Sequence, residues 1–161
     1  MAEKKILIVD YDTKSLDSLT KLFEARKIQI ITATDGVTAY EKFKSEEPDL
    51  VLLEAMLPRL HGFDLAQKIS YDTKGRVPVI IITGVYKGHQ YRNEALRTFG
   101  ATDYFEKPYD EDRLVKRVLG LIQNEIDAEE EVPELPELPD PDSVIENLVK
   151  MLKKGSASEK K

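Results

Sequence analysis

The chain has 161 residues, 41% of them hydrophobic and 34% charged, a balance that suits one compact globular domain with a modest appendage. It contains no cysteine, which excludes disulfides, thiolate metal sites and a cysteine nucleophile. The net charge of −6 sits in one short stretch: residues 1–126 carry 19 Lys/Arg against 20 Asp/Glu, residues 127–142 carry 8 acids and no base, and residues 143–161 carry 5 bases against 2 acids. The main domain is therefore electrically balanced and lacks the basic stripe needed to neutralise the phosphates of a nucleic acid. The opening Met1–Ile6 lacks the apolar stretch of a signal peptide and no later run is long enough to span a bilayer, so no membrane association is expected and the expected location is cytoplasmic.

The first apolar run, Lys5-Ile6-Leu7-Ile8-Val9-Asp10, is short, branched and continuous, the pattern of a strand buried on both faces in a parallel sheet. Asp12 stands where a helix N-cap belongs, and Leu16, Leu19, Leu22 and Phe23 recur at helical spacing. A second strand is predicted over Ile28–Ala33, followed by a helix marked by Ala39, Tyr40 and Phe43 that stops before Pro48. The third strand, Asp49–Glu54, leads through a loop with Pro58 and Gly62 to a helix through Leu65 and Ile69. Pro78–Thr83 is the fourth strand; its loop, Gly84–Gly88, precedes a helix with Ala95, Leu96 and Phe99. A shorter fifth strand, Ala101–Glu106, precedes a helix that starts near Asp110 and buries Leu114, Val118, Leu121 and Ile122.

Five strands alternating with five helices predict an α/β fold, a doubly wound parallel sheet with right-handed crossovers. In such folds chemistry sits at the carboxyl ends of the strands, where strand order reverses. That rule selects Asp10, Glu54, Thr83 and Lys107, each at or just beyond the end of an apolar strand. His61 and His89 fall in predicted loops without a second ligand nearby and are read as solvated. The main domain is placed at 1–126. Prolines two or three residues apart among like charges make 127–142 an extended, acidic Pro-rich linker. Ser143 and Glu146 form a capping-box pair ahead of Val144, Leu148, Met151 and Leu152, so a short amphipathic helix is predicted over 143–155, with a disordered tail at 156–161.

Several of these motifs, in this order, resemble the receiver domain of bacterial response regulators over residues 4–124. They are Ile6-Leu7-Ile8-Val9-Asp10, Asp49 through Pro58, Gly62-Phe63, Thr83-Gly84, and Gly100 through Pro108. The resemblance implies a (βα)5 flavodoxin-like fold with strand order 2-1-3-4-5, and a place in two-component or phosphorelay signalling. It implies that an acidic pair after the first strand and an aspartate after the third hold Mg²⁺ while that aspartate takes a phosphoryl group from a histidine kinase. Thr83 would then supply a hydroxyl to the phosphate, Lys107 a positive charge, and Tyr104 an aromatic switch. The Lys107–Pro108 peptide would be cis. Partner proteins would bind, or a homodimer form, through the face made by the fourth helix, fifth strand and fifth helix, including Leu96, Arg97, Tyr104 and Arg113.

Two positions depart from the pattern. The acidic pair reads Asp10-Tyr11, with Asp12 one place further along, and the phosphoacceptor position carries Glu54. Glutamate is one methylene longer, roughly 1.5 Å of extra reach, in chemistry where ~1 Å of misplacement can cost about a hundredfold. A fixed carboxylate carries about −1, against roughly −1.5 to −2 for a phosphate, so mimicry by Glu54 is partial. The expected function is thus an atypical receiver that is not an enzyme, has no catalytic residue, needs no cofactor and acts by protein contacts. The alternative is a working phosphoacceptor with Mg²⁺ held by Asp10 together with Asp12 or Glu54. Three choices stay open: Glu54 as mimic or inert remnant, Asp10–Lys107 as structural or functional ion pair, and Tyr104 as switch or fixed strand residue. A metabolic enzyme on the same fold is disfavoured, since no glycine-rich loop follows the first strand and no histidine ends a strand.

Overall fold

A computed structural model describes residues 3–131, with side chains as far as Gln123. Continuous branched runs become strands and the amphipathic runs between them become helices, in strict alternation. The elements are β1 (Lys5–Val9), α1 (Thr13–Glu24), β2 (Gln29–Ala33), α2 (Gly36–Glu46), β3 (Leu50–Leu53), α3 (Gly62–Thr73), β4 (Val79–Thr83), α4 (His89–Arg97), β5 (Asp103–Glu106) and α5 (Glu111–Glu131). All strand pairs are parallel and the order is β2-β1-β3-β4-β5. This is the (βα)5 flavodoxin-like arrangement expected from the sequence.

The period of two along each strand divides the core into two layers. Leu7, Val9, Val51, Leu53, Val79, Ile81 and Tyr104 face α2, α3 and α4. Ile6, Ile8, Leu50, Leu52, Ile80, Ile82 and Phe105 face α1 and α5, meeting Leu19, Phe23, Leu114 and Val118. The three inner strands are buried on both sides, and each fully buried Leu or Ile contributes roughly 1.5–3 kcal/mol relative to exposure. This double burial is why their sequences read as unbroken apolar runs.

Side-chain caps set the helix starts. Asp12 accepts from Lys14 N at 3.0 Å to open α1, and Asp35 accepts from Thr38 N at 2.7 Å to open α2. The Thr38 N–H, against the cost of burial, holds the Asp35 carboxyl below the usual carboxylate range. His61, expected to be a solvated loop residue, is half-buried, and its Nδ1 accepts from Phe63 N at 3.1 Å to cap α3. His89, also expected in a loop, is instead the exposed first residue of α4. Phe99 falls beyond α4 because the chain turns at Gly100, whose φ of 74° suits glycine and where a Cβ would lie 2.5 Å from Ser70 Oγ.

The chain divides into two compact units, Met1–Gln123 and Asn124–Lys161. The first carries the sheet; of the second, the described part is the helical run to Glu131. The helix therefore continues into the stretch read as a linker from 127 onward. The first proline comes only at Pro133, and the residues before it are mostly good helix formers, Ala and Glu. The remainder of that linker, the helix expected over 143–155 and the tail at 156–161 lie outside the described residues. Among the described residues, no helix is long and apolar enough to cross a membrane.

Candidate functional site

The reversal of strand order between β1 and β3 opens a crevice at their carboxyl ends, and sheet hydrogen bonding carries on one residue past each strand to fix what lies there. Asp10 N donates to Ala33 O at 3.1 Å, Glu54 N to Val9 O at 2.9 Å, and Lys107 N to Thr83 O at 2.8 Å. The backbone thus aims Asp10, Glu54 and Lys107 at one point. The Lys107 ammonium donates to Asp10 Oδ2 at 2.7 Å and stands 3.1 Å from Glu54 Oε1. Both carboxylates are buried, with relative exposures of 1% for Asp10 and 3% for Glu54.

Every carboxylate oxygen of the pocket is engaged. Asp10 Oδ1 accepts from Asp12 N at 2.9 Å, and Glu54 Oε2 accepts from Met56 N at 3.1 Å. No buried side-chain nitrogen or oxygen among the described residues lacks a partner. Burial alone would lower the lysine's affinity for its proton, but the hydrogen bonds and charges of Asp10 and Glu54 outweigh it and raise Lys107 above the ordinary lysine value. Gly62 completes the wall from α3: a Cβ there would stand 2.3 Å from the Glu54 carbonyl oxygen, so only glycine allows α3 to start this close to β3.

Thr83 is fully buried at the end of β4, and its Oγ1 accepts from Val85 N at 3.1 Å and Tyr86 N at 3.4 Å. The hydroxyl hooks the first turn of the loop between β4 and α4. Tyr104 reaches the same loop from β5. Its ring is buried, 6.3 Å from Phe63 between centroids, and its hydroxyl donates to Tyr86 O. Burial, then the charges of Glu106 and Glu54, push its phenol above the usual tyrosine range. Glu106 Oε2 accepts from Gly88 N at 2.7 Å, which ties down the far end of the loop.

Asp10, Glu54 and Lys107 therefore meet, while Thr83 and Tyr104 both grip the adjoining loop. Asp12 does not join them: it is exposed, and its carboxylate caps α1. Tyr11 is 50% exposed. Among the described residues no three His, Asp or Glu side chains are placed to hold a metal ion together. The Lys107–Pro108 peptide is cis. Tyr104, counted from the sequence as part of a surface of α4, β5 and α5, has its ring packed in the core and also lines, with Arg92, Glu106, Tyr109, Asp110 and Arg113 among others, a groove of about 270 Å³ on that face. Arg92, which the sequence did not single out, donates to Tyr104 O at 3.0 Å and pairs with Asp103 at 3.4 Å. It carried no sequence signal because its role exists only once α4 packs beside β5.

The profile of the response regulator receiver domain matches residues 6–119, most of the chain. The chain belongs to this family. The receiver is 31% identical over 120 residues to the alkaline phosphatase synthesis transcriptional regulatory protein PhoP of Bacillus subtilis, covering 74% of this chain and 49% of that protein. It is 32% identical over 115 residues to protein PilH of Pseudomonas aeruginosa, covering 71% of this chain and 93% of that one. The receiver thus spans about half the length of the first of these relatives and nearly all of the second. Among solved structures it resembles the receiver domain of the Francisella response regulator 1452, with a TM-score of 0.69 and 30% identity over 76% of this chain and 98% of that one. It also resembles a chain of the CheX–CheY–BeF3–Mg complex of Borrelia burgdorferi, with a TM-score of 0.67 and 30% identity over 73% of this chain and 88% of that one. This is a signalling receiver of two-component type.

Proposed function

We propose that this receiver acts by binding partner proteins without an aspartyl phosphate, its acceptor position being held by Glu54. The observation that carries this reading is the Lys107 ammonium, 2.7 Å from Asp10 and 3.1 Å from Glu54. The positive charge that an incoming phosphoryl group would require is matched at rest by two buried carboxylates. Thr83 is engaged with Val85 and Tyr86, and Tyr104 is turned inward on the same loop, which fits a pocket resting in one arrangement. The donor set does not fit Mg²⁺, which favours octahedral geometry around several oxygens, often carboxylates and waters. Both pocket carboxylates are committed to Lys107, Tyr11 stands in place of an acid, and Asp12 is used as a cap. The α4–β5–α5 groove is the proposed partner face, with homodimerisation as its other use. Arg113, 5.6 Å over the Phe105 ring, and Tyr109 supply side chains of the kind that anchor interfaces.

A second reading, phosphorylation on Glu54 with Mg²⁺, draws on the fact that Asp10, Glu54, Thr83 and Lys107 still share one edge of the sheet, and on the Borrelia neighbour solved with BeF3 and Mg. An amide NMR titration with Mg²⁺ and then beryllofluoride separates the two. The amides of Glu54, Thr83, Tyr104 and Lys107 are expected to stay silent. Saturable shifts running from Glu54 to Tyr104 would establish the second reading. The double variant Tyr11→Asp, Glu54→Asp is expected to gain the response that the natural chain lacks.

A further inference from the structure

The cap of α3 differs in chemistry from those of α1 and α2. Asp12 and Asp35 cap with carboxylates, which as a class titrate well below neutrality, whereas His61 caps with an imidazole, the side chain whose charge changes closest to it. His61 Nδ1 accepts from Phe63 N at 3.1 Å, so the cap needs that nitrogen without a proton. The same ring joins two elements. It meets Phe63 on α3 at 5.2 Å and Tyr86 in the loop between β4 and α4 at 5.4 Å, edge-on to both. Tyr86 is in turn tied to the rest of that loop and to its surroundings. Its N–H donates to Thr83 Oγ1 at 3.4 Å, its carbonyl oxygen accepts from the Tyr104 hydroxyl, and its ring meets Tyr91 of α4 at 5.2 Å.

We propose that His61 is a proton-sensitive latch: neutral, it caps α3 and braces the loop between β4 and α4 through Tyr86, and protonated it releases both. An imidazolium carries a proton on each nitrogen, so Nδ1–H would point at the Phe63 N–H in place of an acceptor. Its charge would also stand at the positive end of the helix dipole. The faces of Phe63 and Tyr86 attract a cation, but a ring held by them still offers Phe63 N no acceptor, so the cap is lost either way. Other charges lie on the surrounding elements. Asp64 is in the first turn of α3, and Arg59 in the preceding loop is 3.5 Å from Asp35. Glu54 beyond β3 is bound to Lys107, and the loop after β4 brings Lys87 and the Tyr86 phenol, with the Tyr91 phenol behind on α4. Among the described residues His61 forms no ion pair with any of them. The outcome is a receiver whose β4–α4 loop is braced near neutrality and loosened by mild acid. The inference holds whichever way Glu54 is read, since it needs no change in the Glu54–Lys107 pair.

The test is an NMR titration of the full chain from about pH 8 to about pH 5, the span in which imidazoles change charge. At the upper end, long-range nitrogen–proton spectra should show His61 Nδ1 without a proton. As pH falls, the amides of Phe63 and Tyr86 should move together with the His61 ring signals. Protection of the Phe63 amide, corrected for the intrinsic pH dependence of exchange, should drop about tenfold, as loss of one cap implies. His61→Asn keeps a capping oxygen and does not titrate in this span, so it should abolish the movement at Phe63 and Tyr86. His61→Ala should show the weakly protected Phe63 amide already at the upper pH. The chain has two histidines, and His89→Gln, at the exposed start of α4, should leave the transition intact. A proton on Nδ1 at the upper end, or Phe63 and Tyr86 amides that stay still while the His61 ring titrates, would overturn the proposal. So would a transition that survives in His61→Asn, which would assign it to Asp64.

Discussion

Two lysine–carboxylate pairs in this receiver have nearly the same geometry and opposite importance. Lys107 meets Asp10 at 2.7 Å with side chains 22% and 1% exposed, whereas Lys21 meets Asp17 at 3.0 Å on the outside of α1 with side chains 74% and 62% exposed. Water and salt screen the second pair, and two long side chains lose freedom to hold it, so its contribution is small. The first pair lies where water is largely excluded, and each partner's charge would be costly alone. Distance makes an ion pair, but burial decides what it does.

The comparison breaks most visibly at Lys107. Lys107→Met leaves Asp10 and Glu54 buried without a cation and should cost about 3–5 kcal/mol at neutral pH, measured by urea unfolding. In the natural chain Lys107 binds its proton more tightly folded than unfolded, so its contribution is complete below pH 10.5, the ordinary lysine value, and is lost as pH rises through the raised one. Unfolding midpoints followed into alkali should fall accordingly, and a natural chain whose midpoint does not move there would argue against the assignment. Gly62→Ala, which forces a Cβ toward the Glu54 carbonyl oxygen, should cost about 1–3 kcal/mol and shift the Glu54 amide. Tyr104→Phe leaves Tyr86 O without its hydroxyl donor and should cost about 1 kcal/mol, with faster amide exchange in the loop between β4 and α4. Lys21→Ala should change stability by no more than about 0.5 kcal/mol. A loss at Lys21 as large as that at Lys107 would remove burial as the explanation.

Much of the pocket was legible because strand ends announce themselves. Asp10, Glu54, Thr83 and Lys107 each follow an apolar run, and parallel sheets place such residues on one edge. The cap at Asp12 was legible for a similar reason, since its signal lies within one turn of helix. His61 was missed as a cap because imidazole is uncommon in that role, and His89 because Gly88, which has no side chain to cap α4, left no sign of where the helix starts. Tyr104 was ambiguous, because alternation along a short strand does not say whether its ring meets Phe63 inside or a partner outside.

The sequence by itself determined the class of fold, the order of elements and the residues delivered to the carboxyl edge, because these depend on local period and on handed connections between neighbours. Only the tertiary structure decided that one lysine serves two carboxylates. Asp10 and Lys107 are 97 positions apart, and β3 and β4 must lie between β1 and β5 before their side chains can touch. The same holds for the loop gripped by Thr83, Tyr104 and Glu106. Contacts made across elements depend on packing distances of a few ångströms, which no spacing along the chain encodes.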